Sequence, residues 1–147
     1  MDEHKIQNFK KEYPKIAFPD FRTLSVAEAE NIREAVRDKL GIHPDATPLE
    51  IVIKLSDDST VISGVNPEAD NFSLKSTVLQ TGVQPNEQVL INWYRFDAID
   101  EISLDDLTSY FDDIWYPTSD DIDIFDTSIS WMISVGHLGD VSVWRPS

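Results

Sequence analysis

Residues 128–144 read Ser-Ile-Ser-Trp-Met-Ile-Ser-Val-Gly-His-Leu-Gly-Asp-Val-Ser-Val-Trp, and their period of two decides the fold class. Ile129, Trp131, Ile133 and Val135 alternate with Ser128, Ser130, Met132 and Ser134. After the turn-forming run Gly136–Asp140, Val141 and Val143 resume the alternation. The pattern predicts a β-hairpin with a five-residue loop, apolar on one face and mostly small and polar on the other. An apolar strand face has to be covered, and a helix is the expected cover.

Upstream, Ile122–Phe125 reads as a short strand with Asp123 on its outer face, and Gln88–Phe96, rich in Val, Ile, Trp, Tyr and Phe, as a longer one. Between them Ser103 is placed to cap a helix over about 104–115. Leu104, Leu107, Phe111 and Ile114 form its apolar stripe, Asp105, Asp106, Asp112 and Asp113 lie opposite, and Pro117 ends it. A second helix spans about 26–40, with Ser25 and Glu28 spaced as a capping box and Gly41 at its exit. A shorter one covers 3–12, followed by an irregular link through Pro14 and Pro19. Ile51, Ile53 and Leu55 alternate with Val52 and Lys54, and Asp57-Asp58-Ser59 precedes Val61 and Ile62, which reads as a further hairpin. Residues 66–86, with Pro67, Gly82 and Pro85 around Val78-Leu79, carry no clear period. The expected class is α+β: an antiparallel or mixed sheet with two or three helices packed on it. One domain over 1–147 is expected, helical over about 1–47 and sheet-rich and acidic over about 48–147.

Composition narrows the function classes. The 147 residues contain no cysteine, which removes disulfides, Cys-ligated metals and thiol nucleophiles. Twelve Lys and Arg face 27 Asp and Glu, a formal charge of −15, so direct binding to nucleic acid or to an anionic membrane is disfavoured. No run reaches the length of a membrane span and the start leads into no apolar signal segment, so a cytoplasmic protein is expected. The charge is uneven: between 97 and 126 there are eleven acidic side chains and no Lys or Arg. Ordinary surfaces mix both signs because like charges repel across a compact fold. A one-signed field therefore suggests a use, against the blander reading of a solvated face.

Asp120, Asp121, Asp123 and Asp126 crowd one short segment as hard-cation ligands do, yet without the glycine and terminal Glu of a calcium loop, so no metal and no cofactor is expected. Ser130 or Ser134 with His137 and Asp140 makes a nominal triad lacking a nucleophile elbow, and with so many acids any carboxylate pair is a weak sign of glycoside hydrolysis. No glycine loop fits a phosphate. What survives is an acidic surface with aromatic neighbours. Trp115 and Tyr116, just before Pro117, fit the anatomy of a protein-binding anchor within a charged rim, or else cap the core.

The run Phe111-Asp112-Asp113-Ile114-Trp115-Tyr116-Pro117-Thr118-Ser119-Asp120-Asp121-Ile122, continuing to Phe125-Asp126 and Trp131, resembles the C-terminal part of small acidic bacterial proteins that stand as candidate immunity proteins beside polymorphic or contact-dependent toxins. The resemblance covers the last third of the chain. It implies a non-enzymatic inhibitor that neutralises one toxin by binding it. A basic nuclease domain is the expected partner, because an acidic protein is steered toward a groove built for phosphates. The contact residues expected on the acidic surface are Asp105, Asp106, Asp112, Asp113, Trp115, Tyr116, Asp120, Asp121 and Asp123. The alternative is a general acidic adaptor without catalytic activity, and a hydrolase on the Asp cluster stands third.

Overall fold

The computed structural model describes residues 1–146. In chain order the elements are α1 (Glu3–Glu12), β1 (Phe21–Thr23), α2 (Val26–Leu40), α3 (Pro48–Asp58), β2 (Thr60–Val61), α4 (Leu74–Gln80), β3 (Gln88–Tyr94), β4 (Ala98–Ser103), α5 (Leu104–Ser109), α6 (Phe111–Ile114), β5 (Ile122–Phe125), β6 (Met132–Val135) and β7 (Val141–Trp144). All seven strands form one antiparallel sheet in the order β1-β4-β3-β5-β6-β7-β2. The fold is α+β, and no helix among the described residues is long and apolar enough to cross a membrane.

The C-terminal hairpin forms as its period demands. Met132 pairs with Trp144 and Val135 with Val141, leaving Gly136–Asp140 as the loop. Ile129 and Trp131 are both buried but precede the strand, and Ile129 adopts a positive φ of 47°. The expectation of a polar outer face is corrected. The row Leu90–Phe125–Met132–Trp144, each residue paired with the next, is buried against Ala29, Val36 and Leu40 of α2 and Ile51 and Leu55 of α3. On the other face Val89, Ile91, Ile102, Ile124, Ile133 and Val135 meet Leu74 and Val78 of α4, Leu104 and Leu107 of α5, and Phe111 and Ile114 of α6. The sheet is therefore a middle layer, covered on both sides.

Several local expectations change. Residues 48–58 are helix rather than hairpin: Thr47 Oγ1 accepts from Glu50 N, Pro48 opens the first turn, and Ile51 and Leu55, one turn apart, are buried while Ile53 is 51% exposed. Residues 74–80 form α4, capped by Ser73 and burying Leu74 and Val78. The helix expected over 104–115 is interrupted at Tyr110 (φ −117°, ψ 30°), whose ring packs edge-on to Phe9 at 5.2 Å and Tyr13 at 6.2 Å. Among the described residues six helices replace the two or three expected. Before residue 47 lie α1, the three-residue β1 and α2, and after it β2–β7 with α3–α6; β1 joins the same sheet as the later strands.

Buried carboxylates tie the layers together. Asp100, beneath Trp93, accepts from the indole Nε1 at 2.8 Å and from Thr23 Oγ1 at 2.6 Å, and it pairs with the amino group of Met1. Asp126 accepts from Trp131 Nε1 (3.0 Å), Asn86 N (2.9 Å) and Ser128 N (3.0 Å), and from the Ser128 hydroxyl. Burial alone would raise its pKa; the donors of Ser128, Asn86 and Trp131 outweigh it and hold the carboxyl below its ordinary value. A depressed folded pKa contributes stability that is present above the unfolded value and is lost as pH falls through the folded one. Replacing Asp126 by Ala strands the Trp131 N–H and is expected to cost about 3 kcal/mol in urea unfolding at pH 7. That deficit shrinks as the pH is lowered through the acid limb, and a deficit independent of pH would show that the charge is not the source.

Candidate interaction surface

The acidic residues singled out above do not form one face. Asp105 and Asp106 stand in the first turn of α5, and Asp112 and Asp113 in that of α6, where a helix N-terminus favours negative charge. Asp105 is exposed and pairs with Lys75 Nζ at 2.7 Å. Asp112 and Asp113 lie instead in a hollow of about 320 Å³ between α1, α6 and the segment before α4. Glu12 from the end of α1 and Asp70 from that segment complete four carboxylates; Tyr13, Phe72, Phe111 and Thr108 line the rest, and no Lys, Arg or His does. Asp113 is raised to about 6, by burial first and then by its hydrogen bond to Glu12 and the charges of Glu12 and Asp112. The same crowding raises the Tyr13 phenol, with Asp113 the main cause.

Trp115 and Tyr116 are not a free aromatic anchor. Trp115 is 1% exposed, stacks on Phe111 with centroids 5.6 Å apart, and donates its indole N–H to Asp120 O at 3.0 Å. An indole of that size fills the core under α6. Tyr116 is half-buried beneath α1: Lys5 Nζ sits 3.6 Å from its ring centroid, and its hydroxyl accepts from Asn8 Nδ2. Asp120 is spent in the same place. Its carboxylate pairs with Lys5, itself only 3% exposed, and accepts from Tyr116 N at 2.8 Å.

Asp121 and Asp123 turn away from that cluster. Asp121, exposed, accepts from His137 N at 2.7 Å and lies 2.8 Å from His137 Nδ1. Asp123 accepts from Asn92 Nδ2 at 2.9 Å and Ser134 Oγ at 2.6 Å, and burial raises its pKa. Both line a groove of about 510 Å³ on the α3 side of the sheet. Asp120, Asp121, Asp123 and Asp126 thus each serve different partners. Among the described residues no group of three or more His, Asp or Glu is arranged to hold a metal ion. The nominal triad is likewise dispersed, since Ser134 is bonded to Asp123, His137 to Asp121, and Ser130 Oγ to Ser128 Oγ.

Against protein families, curated proteins and solved structures, the chain matches none. The site is therefore read from its own chemistry. Glu12 and Asp70 escaped sequence reasoning because they lie far along the chain from Asp112 and Asp113, and only the packing of α1 and of the segment before α4 around α6 assembles them. Replacing Glu12 by Gln removes the charge that raises Asp113 and offers its carboxyl an amide N–H in place of a second carboxylate. Carboxyl NMR titration is expected to find Asp113 near 6 in the parent and lower in the variant. Because a raised carboxyl is destabilising when charged, the parent should lose stability as pH rises from the unfolded value of about 4 to 6, and the variant less. Equal midpoints in the two proteins would contradict the pairing.

Proposed function

We propose that the protein is a non-enzymatic inhibitor of the immunity type, which captures a basic partner, a toxin nuclease domain foremost, through the acidic hollow between α1 and α6. One observation carries the reading. Four carboxylates from three separate segments line one concave surface with no Lys, Arg or His among the described residues that line it, and one of them is pushed to about 6, by burial first and then by Glu12 and Asp112. Such crowding is unfavourable in the free protein and is relieved when Lys or Arg side chains enter. Tyr13 and Phe72, both partly exposed, stand beside the carboxylates and give the stems of such side chains a contact. The field of a chain at −15 adds long-range attraction, which acts on the association rate more than on the lifetime of the complex.

The test begins with affinity capture from the native lysate at low salt, followed by expression of the retained basic protein alone and together with this chain. The reading expects toxicity alone, rescue on co-expression, and one-to-one binding whose association slows steeply with added salt. Charge reversal at Asp112 and Asp113 (Asp112→Lys, Asp113→Lys) is expected to slow association about tenfold or more and to abolish rescue. Reversal of Asp105, already paired with Lys75, should change little. Rescue that survives the double reversal would remove the hollow from the mechanism. Several moderate partners and no toxicity would point to the adaptor instead.

A further inference from the structure

On the opposite side of the sheet from the hollow, the face that α2 and α3 cover changes character along its strands. Next to the apolar row Leu90–Phe125–Met132–Trp144 runs a polar row, Asn92–Asp123–Ser134–Ser142, each paired with the next in register. This row is the floor of the 510 Å³ groove. Leu49, Val52 and Leu55 of α3 form an aliphatic wall, and Asp121, Asp140, Tyr94 and Arg95 stand around the mouth. The floor is built rather than left over. Asn92, 3% exposed, donates to Asp123 and accepts with its Oδ1 from Phe96 N at 2.7 Å and Tyr94 N at 3.2 Å. It so pins a hairpin turn in which Arg95 (φ 48°) and Phe96 (φ 60°) both take left-handed geometry.

Asp123 is the unusual group. A carboxylate drawn out of water needs a cation or a full set of donors, as Asp126 has with four. Asp123 has two neutral donors and no ion pair among the described residues, and each oxygen keeps a free acceptor direction. Arg95, the one basic side chain lining the groove, forms no ion pair among the described residues and lies 5.0 Å from the Tyr94 ring centroid instead. The cavity thus presents a half-buried carboxylate without an ion pair among the described residues, further carboxylates at its mouth, and an aliphatic wall. Anions are excluded by sign. The aliphatic wall asks for methylenes rather than a bare ion, and an ammonium group fits the carboxylate end.

We propose that this groove is a binding site for an alkylammonium group, with the ammonium on Asp123 and the methylene chain along Leu49, Val52 and Leu55. The group can come from a free polyamine or from a lysine side chain, and the site does not depend on the hollow across the sheet. Backbone amide NMR titrations of the intact protein test it with cadaverine, with acetyl-lysine methylamide, and with pentanol as the uncharged control. Saturable shifts at Asn92, Asp123, Ser134 and Gly136 are expected with the amines and not with pentanol. Tighter binding of cadaverine identifies the free amine as the source, and tighter binding of the blocked lysine identifies a protein side chain. Asp123→Asn is expected to weaken amine binding about tenfold or more, and Asp140→Asn, an exposed change at the mouth, severalfold. Should Asp123→Asn fail to fold, the Asp140→Asn result decides. Asp112→Asn with Asp113→Asn should leave amine binding unchanged. Shifts equal with pentanol, insensitivity to both groove variants, or equal sensitivity to the hollow variants would overturn the proposal.

Discussion

The constraint on which the rest depends is that a seven-stranded sheet with apolar side chains on both faces must be covered twice. Ile91 and Leu90 are neighbours on β3 and point to opposite faces, yet both are at most 2% exposed. Helices must therefore reach both sides. α2 and α3 take one face, and α4, α5 and α6 the other, with Phe9 of α1 joined to Tyr110 at the edge of that second layer. Both hollows described above are places where this cover stops. The α3 layer ends short of the polar row Asn92–Asp123–Ser134–Ser142 and leaves the groove, while α1 meets α6 and leaves the acidic hollow.

Charge follows the same geometry. With both faces taken by apolar contacts, the acidic side chains are driven to helix starts, turns and rims. Many have a local reason to be there. Glu28, Glu50, Asp105 and Asp112 stand in first helical turns, Asp126 serves as a hub for four donors, and Asp120 neutralises Lys5. Other carboxylates stand in the two concave places: Glu12, Asp70, Asp112 and Asp113 in one, Asp121, Asp123 and Asp140 in the other. Burial raises Asp113 and Asp123 alike.

How much of this was legible in the sequence depends on which physical signal each segment carried. The helix at 26–40 and the C-terminal hairpin were readable because cap, period and exit residue agree. Residues 48–58 misled because Ile51, Val52 and Ile53 are β-branched and alternate over a short span. The stronger evidence was the cap: Thr47, Pro48 and Glu50 repeat the logic of Ser25 and Glu28, and tertiary burial of Ile51 and Leu55 overrides the β preference. The acidic surface was legible as a composition but not as a shape. Trp115 and Tyr116 were placed beside it correctly along the chain, whereas their burial depended on Phe111 and on α1, which no local pattern reveals.

Asn92 shows where such reading could have gone further. It is the one amide in the apolar run Val89–Trp93, and a polar residue in a strand buried on both faces needs partners that justify it. Its partners are the turn amides of Tyr94 and Phe96 and the carboxylate of Asp123, so one side chain fixes both a strained turn and the orientation of a desolvated acid. Two consecutive non-glycine residues in left-handed geometry cost roughly 1–2 kcal/mol each. The burial of Phe96 in the core beside Phe125, with centroids 6.0 Å apart, offsets part of that cost. The same turn places Arg95 at the mouth of the groove, beside carboxylates it does not pair with. A fold governed only by stability would be expected to close that ion pair or to replace Asp123 by an apolar residue continuous with Phe125. Keeping the carboxylate, its two neutral donors and the strained turn together is the combination of a site preorganised for a cation from outside the chain.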